Sequence, residues 1–246
     1  MIVRQFRNGR GFTLLEMTVA LAIIAILAAV ATPMILNRLL EARRQATEQE
    51  ARLLYEAVVG AEGDGGSFGF VGDLGRLPAS FEQLAQAYGL PAYTVQTTRG
   101  VGMGWRGPYI SSGASAGDYL TDAFGRPYTG ASTGQVRSAG PDGLAGTTDD
   151  IVYPPAPPVI TGTVHVKVKT VVDRKTVNDP DGYAVDLYYS NGGAQAVVRD
   201  TTAPFRFDNV PMGLHAIQVV STQGGVVTGE TIALRRGAAV VVELWF

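Results

Sequence analysis

Three aspartates within a nine-residue stretch could bind a metal ion. Asp142, Asp149 and Asp150 lie in the glycine-rich segment 138–151. Two like charges about 4 Å apart repel by roughly 4 kcal/mol at an effective dielectric constant near 20, so a loop that gathers them is stabilised by a cation. Oxygen ligands without His or Cys suit calcium better than zinc. Because the spacing is not that of an EF-hand, the residue types leave two interpretations open, a calcium site and a solvated acidic turn.

A single carboxylate lies near the start of a long apolar segment. Glu16 carries the only formal charge between Phe12 and Leu36. An ionised side chain in hydrocarbon costs roughly 2.5 to 3.5 kcal/mol on insertion scales. The segment offers no partner for this charge, so the partner is expected on another copy of the protein.

The residues around Glu16 resemble the class III signal of the type IV pilin superfamily. The resemblance lies in the stretch Gly-Arg-Gly-Phe-Thr-Leu-Leu-Glu, residues 9–16. It implies that residues 1–11 form a leader, that a prepilin peptidase cuts after Gly11, and that the same enzyme methylates the new N-terminus at Phe12. It also implies that Glu16 pairs with the terminal amine of a neighbouring subunit during filament assembly.

Two simpler interpretations of the N-terminus compete with this one. Arg4, Arg7 and Arg10 form a positively charged region, and Ala-Val-Ala at 29–31 resembles a site for ordinary signal peptidase. A simple membrane anchor is the other alternative, since about 20 apolar residues span a bilayer. Neither alternative requires the carboxylate of Glu16.

The apolar segment is predicted to continue as an amphipathic helix, which favours the prepilin interpretation because a secretory signal has no such continuation. The predicted transmembrane and assembly helix spans residues 12–59. The basic leader predicts that the N-terminus stays in the cytoplasm and that the part of the chain beyond the apolar segment is translocated across the membrane. The apolar positions recur near helical spacing at Leu36, Leu39, Leu40, Ala46, Leu53, Leu54, Ala57 and Val58.

The composition favours a structural protein over an enzyme. The chain has 246 residues, a net charge of −2, no cysteine and only two histidines, His165 and His215. No Ser-His-Asp arrangement or phosphate-binding loop stands out, so the chain is predicted not to be an enzyme. The near-neutral charge implies no general attraction to nucleic acid.

Residues 60–153, which we call the head, resemble the head of the major pseudopilin of type II secretion. The resemblance rests on Trp-Arg-Gly-Pro-Tyr at 105–109, on Asp-Ala-Phe-Gly-Arg-Pro-Tyr at 122–128, and on the acidic loop. Ala123 and Phe124 depart from the proline and tryptophan that the family has there. The aromatic residues of these elements are interpreted as core and turn residues rather than as a sugar-binding strip.

The resemblance also implies a ligand set for calcium, which would stabilise the head and support assembly. The expected side-chain ligands are Asp142, Asp149 and Asp150. The expected backbone ligands are the carbonyl oxygens of Ala139 and Leu144.

Within the head, two local predictions follow from the residue types. The glycine-rich residues 60–75 are predicted to form a loop. Residues 80–88 are predicted to form a short helix with Ser80 as its N-cap and with Gly89 and Pro91 at its end.

The C-terminal third is predicted to be a β-sandwich, residues 161–246, which we call the sandwich. Apolar residues alternate with polar ones, as at Val164, Val166 and Val168, and turn residues separate about seven such strands. Residues 205–215 resemble carboxypeptidase-regulatory or CNA-B-like modules. The proline-rich linker 154–160 is expected to be stiff and to hold the sandwich away from the head.

The predicted fold class is therefore α+β. A long N-terminal α-helix packs on a head with a small antiparallel sheet, the pilin fold, and a transthyretin/Ig-like β-sandwich follows. The resemblance implies a single-pass precursor in the bacterial inner membrane that becomes a periplasmic or cell-surface filament.

The expected partners are other copies of the chain, minor pilins or pseudopilins, the prepilin peptidase, the inner-membrane assembly platform and the membrane itself. We expect a pseudopilin of type II secretion. The alternative is a type IV pilus subunit for adhesion, motility or DNA uptake, with the sandwich as a surface-binding module. Nucleic acid is expected as a partner only in a DNA-uptake pilus.

Overall fold

The computed structural model describes residues 13–61, 67–96, 100–110, 118–172 and 174–246. The chain forms two compact units, Met1–Gln45 and Ala46–Phe246. The fold is α+β, as predicted: a long N-terminal helix precedes a mainly antiparallel β region.

The first helix, α1, spans Leu14–Val59 and includes Pro33. Every described side chain from Thr13 to Gln45 is exposed within its own unit. The helix is long and apolar enough to cross a membrane, judged by length and composition. In the second unit, α1 packs one face into the core of the head, with these buried residues: Thr47, Ala51, Leu54, Tyr55, Ala57, Val58 and Val59.

The head combines short helices with two-stranded antiparallel ribbons. A six-residue helix, α2, lies within the segment that was predicted to be a loop, and its Phe70, Val71 and Leu74 are fully buried. The helix predicted at residues 80–88 is a single 3₁₀ turn, and Ser80 makes no side-chain cap bond. The elements are α2 Gly69–Leu74, 3₁₀ turns Phe81–Leu84, Asp118–Leu120 and Ala131–Thr133, and strands β1 Thr94–Gln96, β2 Val101–Met103, β3 Val136–Ser138 and β4 Ile151–Tyr153.

Within residues 161–172 and 174–246, the sandwich has eight strands in two sheets, against about seven predicted from the sequence. One sheet has the order β11-β10-β7-β8, and in the other β5 pairs with β12, β6 and β9. All of these pairs are antiparallel except β12 with β5, which are parallel. The strands are β5 Thr161–Val172, β6 Lys175–Asn178, β7 Tyr183–Asn191, β8 Ala194–Asp200, β9 Phe205–Pro211, β10 Gly213–Ser221, β11 Val226–Leu234 and β12 Ala239–Trp245.

The head and the sandwich are in direct contact. Val101 and Met103 of β2 form one buried cluster with Tyr188 of β7 and Ala216 of β10. Met212, which lies between β9 and β10, belongs to the core of the head. The expectation that the proline-rich linker holds the sandwich away from the head is therefore wrong, because β7 and β10 have a second apolar face and the head covers it.

Candidate functional site

The N-terminus of α1 is closed by a reciprocal hydrogen-bond pair between Thr13 and Glu16. The carboxylate oxygen Oε2 of Glu16 accepts bonds from the backbone N–H of Thr13 at 2.8 Å and from its hydroxyl at 3.0 Å. The hydroxyl of Thr13 accepts a bond from the backbone N–H of Glu16 at 3.2 Å. This is a capping box, in which a threonine N-cap and a glutamate three residues later satisfy each other's backbone N–H groups. The carboxylate of Glu16 therefore has a partner within its own chain as well as the one expected on a neighbouring subunit.

The predicted cleavage and methylation sites, Gly11 and Phe12, lie outside the described residues. The apolar side chains that follow are strongly exposed, among them Leu14 at 83% and Leu15 at 72%. Burying such a surface is favourable by about 25 cal/mol per Å² of apolar area, so this part of α1 is suited to lipid or to packing against other helices.

The acidic loop lies between β3 and β4, which pair as an antiparallel hairpin. Ser138 lies opposite Ile151, and Val136 lies opposite Tyr153. The hairpin therefore brings both ends of the loop together. The guanidinium group of Arg126 donates hydrogen bonds to the carbonyl oxygens of Gly140 and Pro141, the latter at 3.2 Å, and these bonds hold the first turn of the loop.

Three of the five predicted ligand residues converge on Thr147, a residue that the sequence analysis did not single out. Its hydroxyl oxygen lies 2.6 Å from Asp149 Oδ1, 3.0 Å from the carbonyl oxygen of Leu144 and 3.5 Å from Asp150 Oδ1. The hydrogen bonds from Thr147 and from the backbone N–H of Asp142 hold the pKa of the Asp149 carboxyl below its usual value. The loop thus stabilises the ionised form of Asp149, the form that binds a cation.

The other two predicted ligands take part in local turns. Asp142 Oδ1 accepts a hydrogen bond from the backbone N–H of Leu144 at 2.8 Å. The carbonyl oxygen of Ala139 accepts one from the backbone N–H of Gly143 at 3.1 Å. The backbone of Asp142 nevertheless reaches the cluster, because its N–H donates to Asp149 Oδ2 at 3.1 Å.

The donor set fits calcium in part. The loop offers only carboxylate, hydroxyl and carbonyl oxygens, which are the ligands that calcium prefers. Within the described part of the chain, however, no group of three His, Cys, Asp or Glu side chains is placed to hold a metal ion. A calcium ion at this loop would therefore depend on backbone carbonyl groups and water in addition to Asp149 and Asp150.

Asp122 connects the acidic loop to the turn that precedes it. Its Oδ1 accepts hydrogen bonds from the backbone N–H groups of Phe124 and Arg126, both at 2.9 Å, and its Oδ2 accepts one from the hydroxyl of Ser138. The side chain is only 4% exposed. Asp122 thereby holds Ser138, at the end of β3 where the loop begins, and the backbone of Arg126, whose side chain binds the first turn of the loop.

Three of the four aromatic residues in the segments 105–109 and 122–128 pack in or against the core of the head, as interpreted from the sequence, whereas the half-buried Phe124 does not belong to this core. Tyr128 is buried, and Trp105 and Tyr109 pack against the same core. The indole N–H of Trp105 donates to the carbonyl oxygen of Gln83 at 2.7 Å, and the hydroxyl of Tyr109 donates to Asp73 Oδ2 at 3.0 Å.

Comparison with known proteins supports the interpretation of the N-terminus. Residues 6–32 match the family model described as a prokaryotic N-terminal methylation motif. No curated protein sequence matches the chain. The match supports a type IV pilin-like subunit that prepilin peptidase processes, a structural role rather than an enzymatic one. With the apolar helix, it fits a membrane-anchored precursor that is later assembled into an extracellular or periplasmic filament, as predicted.

Proposed function

We propose that this chain is the structural subunit of a type II secretion pseudopilus, polymerised through α1 after cleavage behind Gly11. The proposed role in a filament rests on the match of residues 6–32 to the N-terminal methylation motif. The choice of a pseudopilin rests on the resemblance of the head, in particular on the acidic loop that the hairpin of β3 and β4 presents.

Glu16 is the assembly residue in this proposal. Its carboxylate is held at the N-terminus of α1 by Thr13, and we propose that the terminal amine of a neighbouring subunit binds it there. Within its own chain the carboxylate accepts hydrogen bonds only from the uncharged donors of Thr13. A terminal ammonium group would add the attraction between opposite charges, which is strong where water is excluded, and this attraction favours assembly.

The experiment that tests the filament role begins with the intact mass and N-terminal sequence of the protein from its native membrane. A chain that starts at N-methylated Phe12 supports the proposal, and one that starts at Thr32 refutes it. The Glu16→Ala variant is expected to insert into the membrane but not to assemble, whereas Glu41→Ala, which removes a carboxylate elsewhere on α1, is expected to assemble. Filaments of Glu16→Ala in normal amount would contradict the role of this carboxylate.

We further propose that the acidic loop binds calcium through Asp149, Asp150 and the carbonyl oxygen of Leu144, with Ala139 and Asp142 completing the site. Calcium at 100 times its dissociation constant would stabilise the folded chain by about 2.7 kcal/mol. For a domain of this size each kcal/mol shifts the melting temperature by about 2 to 4 °C, so a chelator is expected to lower it by about 5 to 10 °C.

The matched control for the calcium test is an aspartate outside the loop. Asp149→Ala is expected to abolish the effect of the chelator, and Asp181→Ala, at an exposed position before β7, is expected to keep it. Titration with calcium alone, followed by isothermal calorimetry, gives a readout that does not depend on assembly. An unchanged melting temperature of the wild-type chain in the presence of chelator would rule out the calcium site.

A surface pilus subunit is the second candidate function. The observation that favours it is the sandwich, which follows the head in sequence and has eight strands among its described residues. Labelling of the native filament separates the two candidates: filaments confined to the periplasm support the secretion system, and long filaments on the cell surface support the pilus.

A further inference from the structure

The C-terminal end of α2 finds hydrogen-bond partners in the sandwich. The carbonyl oxygen of Leu74 accepts a bond from the backbone N–H of Gly193 at 3.1 Å. The carbonyl oxygen of Asp73 accepts one from the hydroxyl of Ser190 at 2.8 Å and another from the backbone N–H of Gly104 at 3.0 Å. The last carbonyl groups of a helix have no partner within it, so the sandwich supplies what α2 lacks.

The backbones of the head and the sandwich also lie close to each other. A Cβ atom on Gly75 would lie 1.8 Å from the carbonyl oxygen of Ser190, and one on Gly213 would lie 2.8 Å from that of Gly72. Real Cβ atoms do not come so close to backbone atoms, so these glycines allow a contact that larger residues would prevent. The contact therefore has the packing of a protein interior and not that of two modules joined by a linker.

The sandwich covers apolar surface that the head cannot cover by itself. Val101 and Met103 of β2 are buried against Tyr188 and Ala216 of the sandwich. The β3–β4 ribbon packs in the core of the head, but the β1–β2 ribbon buries Val101 and Met103 against the sandwich instead, and a two-stranded ribbon without such packing is at best marginally stable in water. The sandwich in turn would expose Tyr188, which is 8% exposed in the whole chain, if the head were absent.

A third contact joins the sandwich to the last turns of α1. The guanidinium group of Arg236, in the turn between β11 and β12, lies 5.6 Å from the ring centre of Tyr55 and donates a hydrogen bond to its hydroxyl. Tyr55 packs edge-to-face on Tyr153 of β4 at 5.3 Å, and Arg52 donates to the hydroxyl of Tyr153 at 3.3 Å. The sandwich, β4 and α1 are thus linked through one chain of side chains.

We propose that the head folds only together with the sandwich, so that the two form one cooperative unit and the subunit is complete only when its C-terminal part has folded in place. The sandwich is then a required half of the subunit and not a binding module on a spacer. One consequence concerns ligands: the face of β7 and β10 that the head covers is not available to them. This proposal does not rest on the filament function, since it concerns residues 46–246 alone.

A pair of neighbouring glycines provides the test. Gly192 and Gly193 both have left-handed backbone conformations, with φ of +65° and +85°. A Cβ atom on Gly193 would lie 2.6 Å from Leu74 Cδ2, whereas nothing lies within 4 Å of one on Gly192. The substitutions Gly193→Ala and Gly192→Ala therefore impose similar local strain, but only the first disturbs the contact with the head.

The measurement is hydrogen exchange, followed by mass spectrometry, on the full chain in detergent. Gly193→Ala is expected to raise amide exchange roughly tenfold or more in α2 and β2 together with β7 and β10, because a cooperative unit opens as a whole. Gly192→Ala is expected to exchange as the wild type does. Faster exchange confined to the turn between β7 and β8, with the head at the wild-type rate, would overturn the proposal.

A milder variant keeps the test decisive if Gly193→Ala does not fold. Ser190→Ala removes one hydrogen bond to the carbonyl oxygen of Asp73 and introduces no strain. It is expected to raise exchange in α2 and in β7 by the same factor. An effect on β7 alone would show that the head is stable without this contact, and the proposal would be wrong.

Discussion

His215 should make the stability of the sandwich depend on pH. It lies on β10 and is 2% exposed. Its Nε2 donates a hydrogen bond to the carbonyl oxygen of Pro211 at 2.7 Å, and its Nδ1 has no hydrogen-bond partner within the described part of the chain. Burial lowers the pKa of the imidazole from 6.5 to about 4, since a charged ring would be held away from water.

The sign and size of the effect follow from proton linkage. The folded state has the lower pKa, so the unfolded state takes up the proton first as the pH falls. The contribution of neutral His215 to the unfolding free energy is therefore fully present above pH 6.5, the pKa of the unfolded state. This contribution is lost as the pH falls toward about 4, and below that pH the unfolding free energy no longer changes through His215. Between about pH 7.5 and about pH 4.5 the loss is about 2 kcal/mol of unfolding free energy.

The assay is guanidinium unfolding of the full chain in detergent at these two pH values. In His215→Gln the side-chain amide retains a donor but does not titrate, so the pH-dependent loss is expected to be about 2 kcal/mol smaller than in the wild type. The matched control is His165→Gln, which removes the other histidine from the partly exposed outer face of β5. An equal pH-dependent loss in wild type and His215→Gln would refute the reasoning.

Three further predictions concern the N-terminus and the acidic loop. Thr13→Val should weaken the start of α1 by about 1 kcal/mol and lower filament yield, whereas Thr13→Ser should not; equal yields would contradict this. Asp122→Ala should lower the unfolding free energy by about 2 kcal/mol, because it leaves the buried hydroxyl of Ser138 and two partly buried backbone N–H groups without their acceptor; Asp122→Asn should cost less in the same denaturation assay. Gly140→Ala should destabilise the chain more than Gly146→Ala, since both have positive φ but only at Gly140 would a Cβ lie 2.4 Å from a carbonyl oxygen; equal melting temperatures would contradict this.

The elements that the sequence predicted best are those with a strict local period. Val164, Val166 and Val168 are all buried in the core of the sandwich, as the alternation on β5 indicated. The long helix was also predicted, and it ends at Val59 as expected. In both cases the pattern of apolar residues along the chain is itself the cause of the structure, because a helix or strand buries whichever face is apolar.

The elements that the sequence did not predict depend on contacts between distant residues. The glycines of α2 indicated a loop. A Cβ atom on Gly69, however, would lie 2.5 Å from the backbone nitrogen of Gly60, so this glycine allows α2 to lie close to the end of α1. The second buried face of β7, with Tyr188 and Ser190, carries polar groups that local alternation assigns to solvent. Only the head, far away in sequence, buries it.

The sequence by itself determined the membrane-spanning apolar segment, the prepilin-type signal, and the identity of the oxygen-bearing residues in the acidic loop, because each depends on residue types at short spacing. Only the tertiary structure decided that the sandwich lies against the head, and that Leu144, Asp149 and Asp150 meet at Thr147 while Asp142 caps its own turn. The first arrangement depends on packing between residues far apart in sequence, and the second depends on the backbone conformation of the loop, which the residue types alone do not specify.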